Sequence, residues 1–220
     1  MTQVKLKYPA DGLNSPPSWG SKESIKKMLE KIYKEFGTYI DFASNQANLP
    51  KKMIASFIAV ESGGNPKAGA SGHITQGLMQ WNRNFTKATL EREKKEGRLT
   101  KEEQDKLASY GIRFDANGKT RAITNADQLK PELNILIGTI ILGQLVDTDW
   151  GTEDGEIKLD RIIAVYNAGA YGDTGKKARS KKYKTPKSLA DAVNPISRAY
   201  INKILGLNGA LDLTREIKIA

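Results

Sequence analysis

The chain has 220 residues, enough to bury one sizeable core. It contains no cysteine and a single histidine, His73. That excludes disulfides, thiol nucleophiles and a histidine-cluster zinc site, and no Gly-x-Ser-x-Gly elbow accompanies His73 to build a serine triad. A formal net charge of +10 favours anionic partners, either nucleic acid or the carboxylates and phosphates of a bacterial envelope.

Residues 1 to 20 carry Pro9, Gly12, Pro16, Pro17 and Gly20 and read as an extended arm. Met1 to Pro9 has basic residues with no apolar stretch behind them, so no secretory leader is expected there. Ser21 can cap a helix whose apolar residues Ile25, Met28, Leu29, Ile32, Tyr33 and Phe36 recur at helical spacing. A second helical pattern runs from Thr38 to Ala47. Asn48-Leu49-Pro50 breaks the chain, and Pro50 suits the first turn of the next helix.

That next helix ends on Glu61, after the apolar run Met53 to Val60 and before Ser62-Gly63-Gly64-Asn65-Pro66. A carboxylate at the end of an apolar helix is opposed by the helix dipole and partly desolvated, and both favour its protonated form. A general acid needs that condition near neutral pH. Ser62 to Leu90 contains no other acid, so chemistry at this point has one nearby carboxylate. The alternative is an ordinary solvated glutamate at a helix end.

Further along, Thr86 to Glu96 is a charged helical pattern, and Thr100 with Glu103 has capping-box spacing. Phe114 to Thr120 carries an Asn-Gly turn signal suited to a small hairpin. Leu133, Leu136, Ile137, Ile140, Ile141 and Leu145 give a broad apolar helical face. The apolar run from Ile135 to Val146 is too short to span a bilayer. Asp160 can cap a helix ending near Tyr166. Lys176 to Lys184 is a basic run, Pro195 to Leu205 a further helix, and residues 206 to 220 read as a tail. The pattern as a whole predicts a mostly α protein without a domain linker, its body spanning residues 21 to 205.

Four segments in order carry a more specific message: Glu61-Ser62, Gly77-Leu78-Met79-Gln80, Asn134-Ile135-Leu136-Ile137-Gly138, and Tyr166-Asn167-Ala168-Gly169. Together they resemble the soluble lytic transglycosylases, over roughly residues 50 to 170. The resemblance implies a lysozyme-like fold that cleaves peptidoglycan between N-acetylmuramic acid and N-acetylglucosamine, leaving a 1,6-anhydro end without cofactor or metal. It makes Glu61 the catalytic acid and then base, and Tyr166 the hydrogen-bonding group that holds it. Ser62, Ser71, Met79, Gln80, Asn167, Ala168 and Gly169 become substrate-binding positions.

Two segments depart from the family. Residues 84 to 125 are an insertion, read as a solvated excursion, a groove wall or a docking surface for another protein. The 65–77 loop is longer, with Ile74-Thr75 in place of the usual Gly-Ala pair. His73 is expected at the loop surface. The basic run Lys176 to Lys184 is a solvated loop or an attachment to an anionic envelope. It lacks the aromatics and recognition helix of a nucleic-acid site. With no leader expected, delivery in a bacteriophage particle beside other virion proteins, or as an endolysin through a phage-made hole, fits a wall-degrading enzyme. The rival readings are a goose-type muramidase, which uses water, and a glycan-binding structural virion protein.

Overall fold

A computed structural model describes residues 10–69 and 71–217. The residues before Ala10, nine of the twenty in the expected N-terminal arm, lie outside the described part. The chain divides into two compact units. One is Lys31–Ile141; the other joins the residues up to Glu30 with those from Leu142 onward.

Helix α1 runs unbroken over Lys22–Ala47, where the sequence suggested two segments. The apolar stripe Ile25, Leu29, Ile32, Phe36 and Ile40 continues through Gly37, and all five side chains are buried. A single glycine costs a helix about 1 kcal/mol, too little to interrupt so long a buried stripe. Helix α2, Lys51–Ser62, follows Pro50 and buries every residue from Met53 to Ala59. Helix α3, Arg83–Lys95, is capped by Asn82, whose side chain accepts the Asn84 N–H. Helix α4, Lys101–Ser109, starts on the full capping box Thr100/Glu103. The short α5, Asn125–Gln128, uses a second box, Thr124/Asp127, and α6 spans Pro131–Val146.

The Asn-Gly segment forms its turn but no hairpin. Asp115 Oδ1 accepts the N–H groups of Asn117 and Lys119, and the Thr120 N–H goes to the Glu91 carboxylate on α3. Side-chain carboxylates thus take donors that a second strand would have used. The two-stranded sheet lies elsewhere: β1, Thr152–Glu153, pairs antiparallel with β2, Glu156–Ile157.

In the second unit α7, Leu159–Ala168, packs on α8, Asp173–Arg179, on α9, Pro186–Ala192, and on α10, Pro195–Leu205. Asp160 does not cap α7. Lys158 holds that position and Asp160 lies inside the first turn, where burial raises its carboxyl against the opposing pull of Arg161. The described residues near both ends of this unit pack onto it. The Ala10 N–H donates to Leu205 O, Ser15 N–H to Leu207 O, and Leu13 is buried. In the expected tail, α11, Ala210–Leu213, buries Ala210, Leu211 and Leu213. Two of its four residues are leucine, and their burial offsets much of the entropy lost in ordering the turn. Among the described residues no helix is long and apolar enough to cross a membrane.

Candidate active site

Glu61 stands in the last turn of α2, half-buried, with Ser62 the last helical residue. The helix stops because Gly63 takes the left-handed conformation (φ 62°) and returns its N–H to Ala59 O. Gly64 follows at φ 78°, where any Cβ would come within 2.8 Å of Ile32 Cγ1. The Gly-Gly pair thus meets both a backbone need and a packing need. Ser62 shapes this turn: its Oγ donates to Ile58 O at 3.0 Å and accepts the Gly64 N–H at 3.2 Å.

A relay of hydrogen bonds then carries the chain from α2 to the Gly77–Gln80 segment. Asn65 N–H donates to Ser62 O, and Ala68 N–H to Asn65 O. Ala68 O in turn accepts the Gly77 N–H at 2.9 Å and Gln80 Nε2 at 3.1 Å. Gln80 Nε2 also donates to Gly77 O at 2.7 Å. Both amide hydrogens of Gln80 are therefore spent inside the loop, and it positions that loop rather than offering N–H groups to a sugar. Its Oε1 is the amide's acceptor end.

Met79 is fully buried. A Cβ on Gly138 would lie 2.4 Å from Met79 Sδ and 2.8 Å from its Cβ, so Met79 fills the gap that Gly138 leaves. This corrects the expectation of a substrate-binding methionine: the long apolar side chain gains more in the core than at the surface. Ser71 and His73 are exposed on the loop, and His73 contributes its carbonyl to Arg83 Nη1 at 2.6 Å.

Two buried amides that sequence reasoning did not single out for this role lock the segment from below. Asn134 Oδ1 accepts the Met79 N–H at 2.8 Å, while its Nδ2 donates to Gln76 O and Gln128 O. Gln128 Nε2 donates to Ile74 O at 3.0 Å and Trp81 O at 2.8 Å. Trp81 Nε1 donates to Asn134 O. Gly77 must be glycine here, at φ 84° with Gln128 O 2.2 Å from a would-be Cβ. Gln128 carried no sequence signal, since a lone Gln before a turn is unremarkable by pattern.

Several other acids of this unit have structural partners. Asp127 binds Arg121 and caps α5, and Glu132 binds Lys106 and Tyr110. Glu93 pairs with Arg98 and Glu91 with Lys119. Burial alone would raise Asp127, but Arg121, Thr124 and Lys130 outweigh it and hold its carboxyl well below the usual range. Burial and the Glu132 hydrogen bond push the Tyr110 hydroxyl up to about 12.

The second motif belongs to the other unit. Tyr166, Asn167 and Ala168 form the last turn of α7, all half-buried, and Gly169 ends it at φ 74°. Asn167 Oδ1 accepts the hydroxyl of buried Ser197 at 3.0 Å, so the remaining donors of this side chain are on Nδ2. Helix α8 presses on the turn through Gly175, where a Cβ would meet Gly169 O at 2.0 Å. Of the expected site, one unit thus holds Glu61, Ser62, Ser71, Met79 and Gln80, and the other Tyr166, Asn167, Ala168 and Gly169.

The acids in the 147–160 stretch are largely committed to ion pairs or burial within their own unit. Glu153 bonds Arg161 at 3.0 Å, Asp149 lies 3.2 Å from Lys181, and Glu156 pairs with Lys158. The basic run is correspondingly less free than its composition suggests: Lys177 pairs with Asp173 and also donates to Ala192 O.

The mostly helical fold, with its small two-stranded sheet, is the lysozyme-like fold of the lytic transglycosylases. It matches an X-ray structure of lytic transglycosylase Slt from Pseudomonas aeruginosa, solved as an inactive mutant, with a TM-score of 0.54 and 16% identity. The match covers 81% of this chain but only 24% of that one, so the chain spans about a quarter of the length of the protein it matches. A family model, the transglycosylase SLT domain, matches residues 38–108, which include Glu61 and Gly77–Gln80. That match ends before Asn134 and Tyr166, and it extends into the segment read as an insertion. No curated protein matches the chain.

Proposed function

We propose that the protein is a peptidoglycan lytic transglycosylase. The observation that carries this reading is Glu61, half-buried at the end of an apolar helix and tied by the Ser62–Asn65–Ala68 relay to Gln80, all within the segment that matches the SLT domain.

In this mechanism the Glu61 carboxyl gives its proton to the glycosidic oxygen between N-acetylmuramic acid and N-acetylglucosamine, and the bond from that oxygen to C1 breaks. The Glu61 carboxylate then takes the proton of the muramoyl C6 hydroxyl as its oxygen bonds to C1. The proton count closes, no water is consumed, and the product is a 1,6-anhydro end. Asn167 is proposed to offer its Nδ2 donors to a sugar. Gly169 offers backbone without a side chain for close approach.

A muramidase would need a second carboxylate to activate water. The pairing of Asp149, Glu153 and Glu156 with cations of their own unit supports the water-free route.

Mass spectrometry of digested sacculi tests this. Muropeptides are expected to end in 1,6-anhydro-N-acetylmuramic acid, about 18 mass units lighter than hydrolytic products, the mass of the water that separates the two outcomes. Glu61→Gln should fold normally yet lose nearly all cleavage, because an amide can neither donate nor accept the required proton. Reducing-end products would move the protein to the muramidases. Cleavage by folded Glu61→Gln would remove Glu61 from the mechanism.

A further inference from the structure

Tyr171 is the most exposed large hydrophobic side chain among the described residues, at 83% of its full surface. It lies two residues beyond Gly169, on the turn between α7 and α8. An exposed tyrosine gains nothing from core packing, yet this one is not loose. The Arg179 guanidinium lies over its ring, 5.6 Å from the centroid. The turn beneath is held by Gly175, with no room for even a Cβ against Gly169 O and Ala170.

Arg179 differs from the paired lysines beside it. Lys177 is matched to Asp173 and Lys181 to Asp149. Arg179 instead leans on the aromatic ring, with its Nε buried and without a hydrogen-bond partner. A guanidinium anchored this way keeps its planar fork for a carboxylate.

We propose that Tyr171 and Arg179 form a saccharide platform for an acidic amino sugar. The apolar C–H face of a pyranose stacks on the Tyr171 ring, and a carboxylate on that sugar is received by Arg179. N-acetylmuramic acid whose lactyl carboxylate carries no stem peptide has that chemistry. The assignment deepens the function proposed above and rests on it for the identity of the glycan. The ring supplies stacking common to any β-1,4 amino sugar; the guanidinium supplies selection for the acidic one.

The test is calorimetric titration of Glu61→Gln protein, which does not consume its ligand, with two probes. One is chitotetraose. The other is a tetrasaccharide of alternating N-acetylglucosamine and N-acetylmuramic acid with free lactyl carboxylates. Tyr171→Ala is expected to weaken both by roughly three- to tenfold, the range of a lost aromatic contact, and Tyr171→Phe neither. Arg179→Gln should weaken the muramyl saccharide more than chitotetraose. The thermal midpoint of Tyr171→Ala should be unchanged, since its ring is outside the core.

Equal affinities for Tyr171→Ala and its parent overturn the platform, as does a parent that binds neither probe. Equal losses on the two probes for Arg179→Gln overturn the carboxylate assignment. Product analysis on sacculi keeps this apart from the parent reading: a platform failure leaves anhydro products in place, whereas hydrolytic products refute the transglycosylase reading whatever the titrations give.

Discussion

At the scale of single residues, glycine positions define the shape of the Glu61 region more tightly than the polar residues do. Gly138 is the clearest case, because Met79 occupies the space its missing side chain leaves. Gly138→Ala places a methyl against both the sulfur and the Cβ of Met79, so flexing the far end of that side chain cannot relieve it. Overpacking of this kind costs about 1–3 kcal/mol. Urea unfolding is expected to show that loss together with reduced cleavage, since the Met79 backbone carries Gln80 with it. The same substitution paired with Met79→Ala should recover stability relative to Met79→Ala alone, because the two now share the space. The Gly-Leu-Met-Gln tetrapeptide was legible as a motif, but not which way its residues point. Met79 read as a ligand group and is core, and Gln80 read as a sugar donor and is a loop brace. A motif names residue types, whereas direction is set by partners such as Asn134 and Gln128, far off in sequence.

At the scale of elements, legibility followed the range of the interaction. The Thr100/Glu103 box, the helix from Pro195 and the apolar helix before Glu61 depend on neighbours within a few residues, and the sequence shows them. The hairpin expected near Asn117-Gly118 failed because Glu91, on α3, captured the Thr120 N–H. The segment after it is pinned by Asp127, which accepts from Arg121, Thr124 and Lys130. Asp127 is held below its ordinary value despite burial, so its contribution to stability is present above the unfolded value near 4 and is lost as pH falls through the folded one. Asp127→Asn is therefore expected to lower unfolding stability by about 2 kcal/mol at pH 7, the worth of charged hydrogen bonds. The gap between the two proteins should narrow as the pH drops below about 4, where the wild type begins to lose the same interaction. Chemical denaturation at pH 7 and pH 3 measures both values; a gap that widens in acid would show that Asp127 is not the group responsible.

At the scale of the whole molecule, the net charge of +10 and the anionic character proposed for the target make association salt-dependent. The basic run does not act as one block. Lys177, Lys181 and Lys184 face Asp173, Asp149 and Glu153, so their charge is partly spent inside the protein. Lys176 and Lys182 are exposed, and Lys182 also lies over the Tyr183 ring at 6.0 Å. Replacing Lys176 and Lys182 by Gln should weaken binding to whole sacculi at low ionic strength, with little effect on cleavage of short soluble glycans. The difference should fade as salt rises and the Debye length falls to about 8 Å near physiological ionic strength. Replacing Lys177 acts differently, since its ammonium also holds Ala192 O at 2.9 Å. Its loss should lower the thermal midpoint and leave the salt slope of binding nearly as steep as before. Sedimentation of sacculi across a salt series, beside a melting curve for each variant, separates the two classes of lysine. If Lys177→Gln flattened the salt slope as much as the exposed pair does, the run would be one diffuse attractor, and its internal pairs would carry no separate weight.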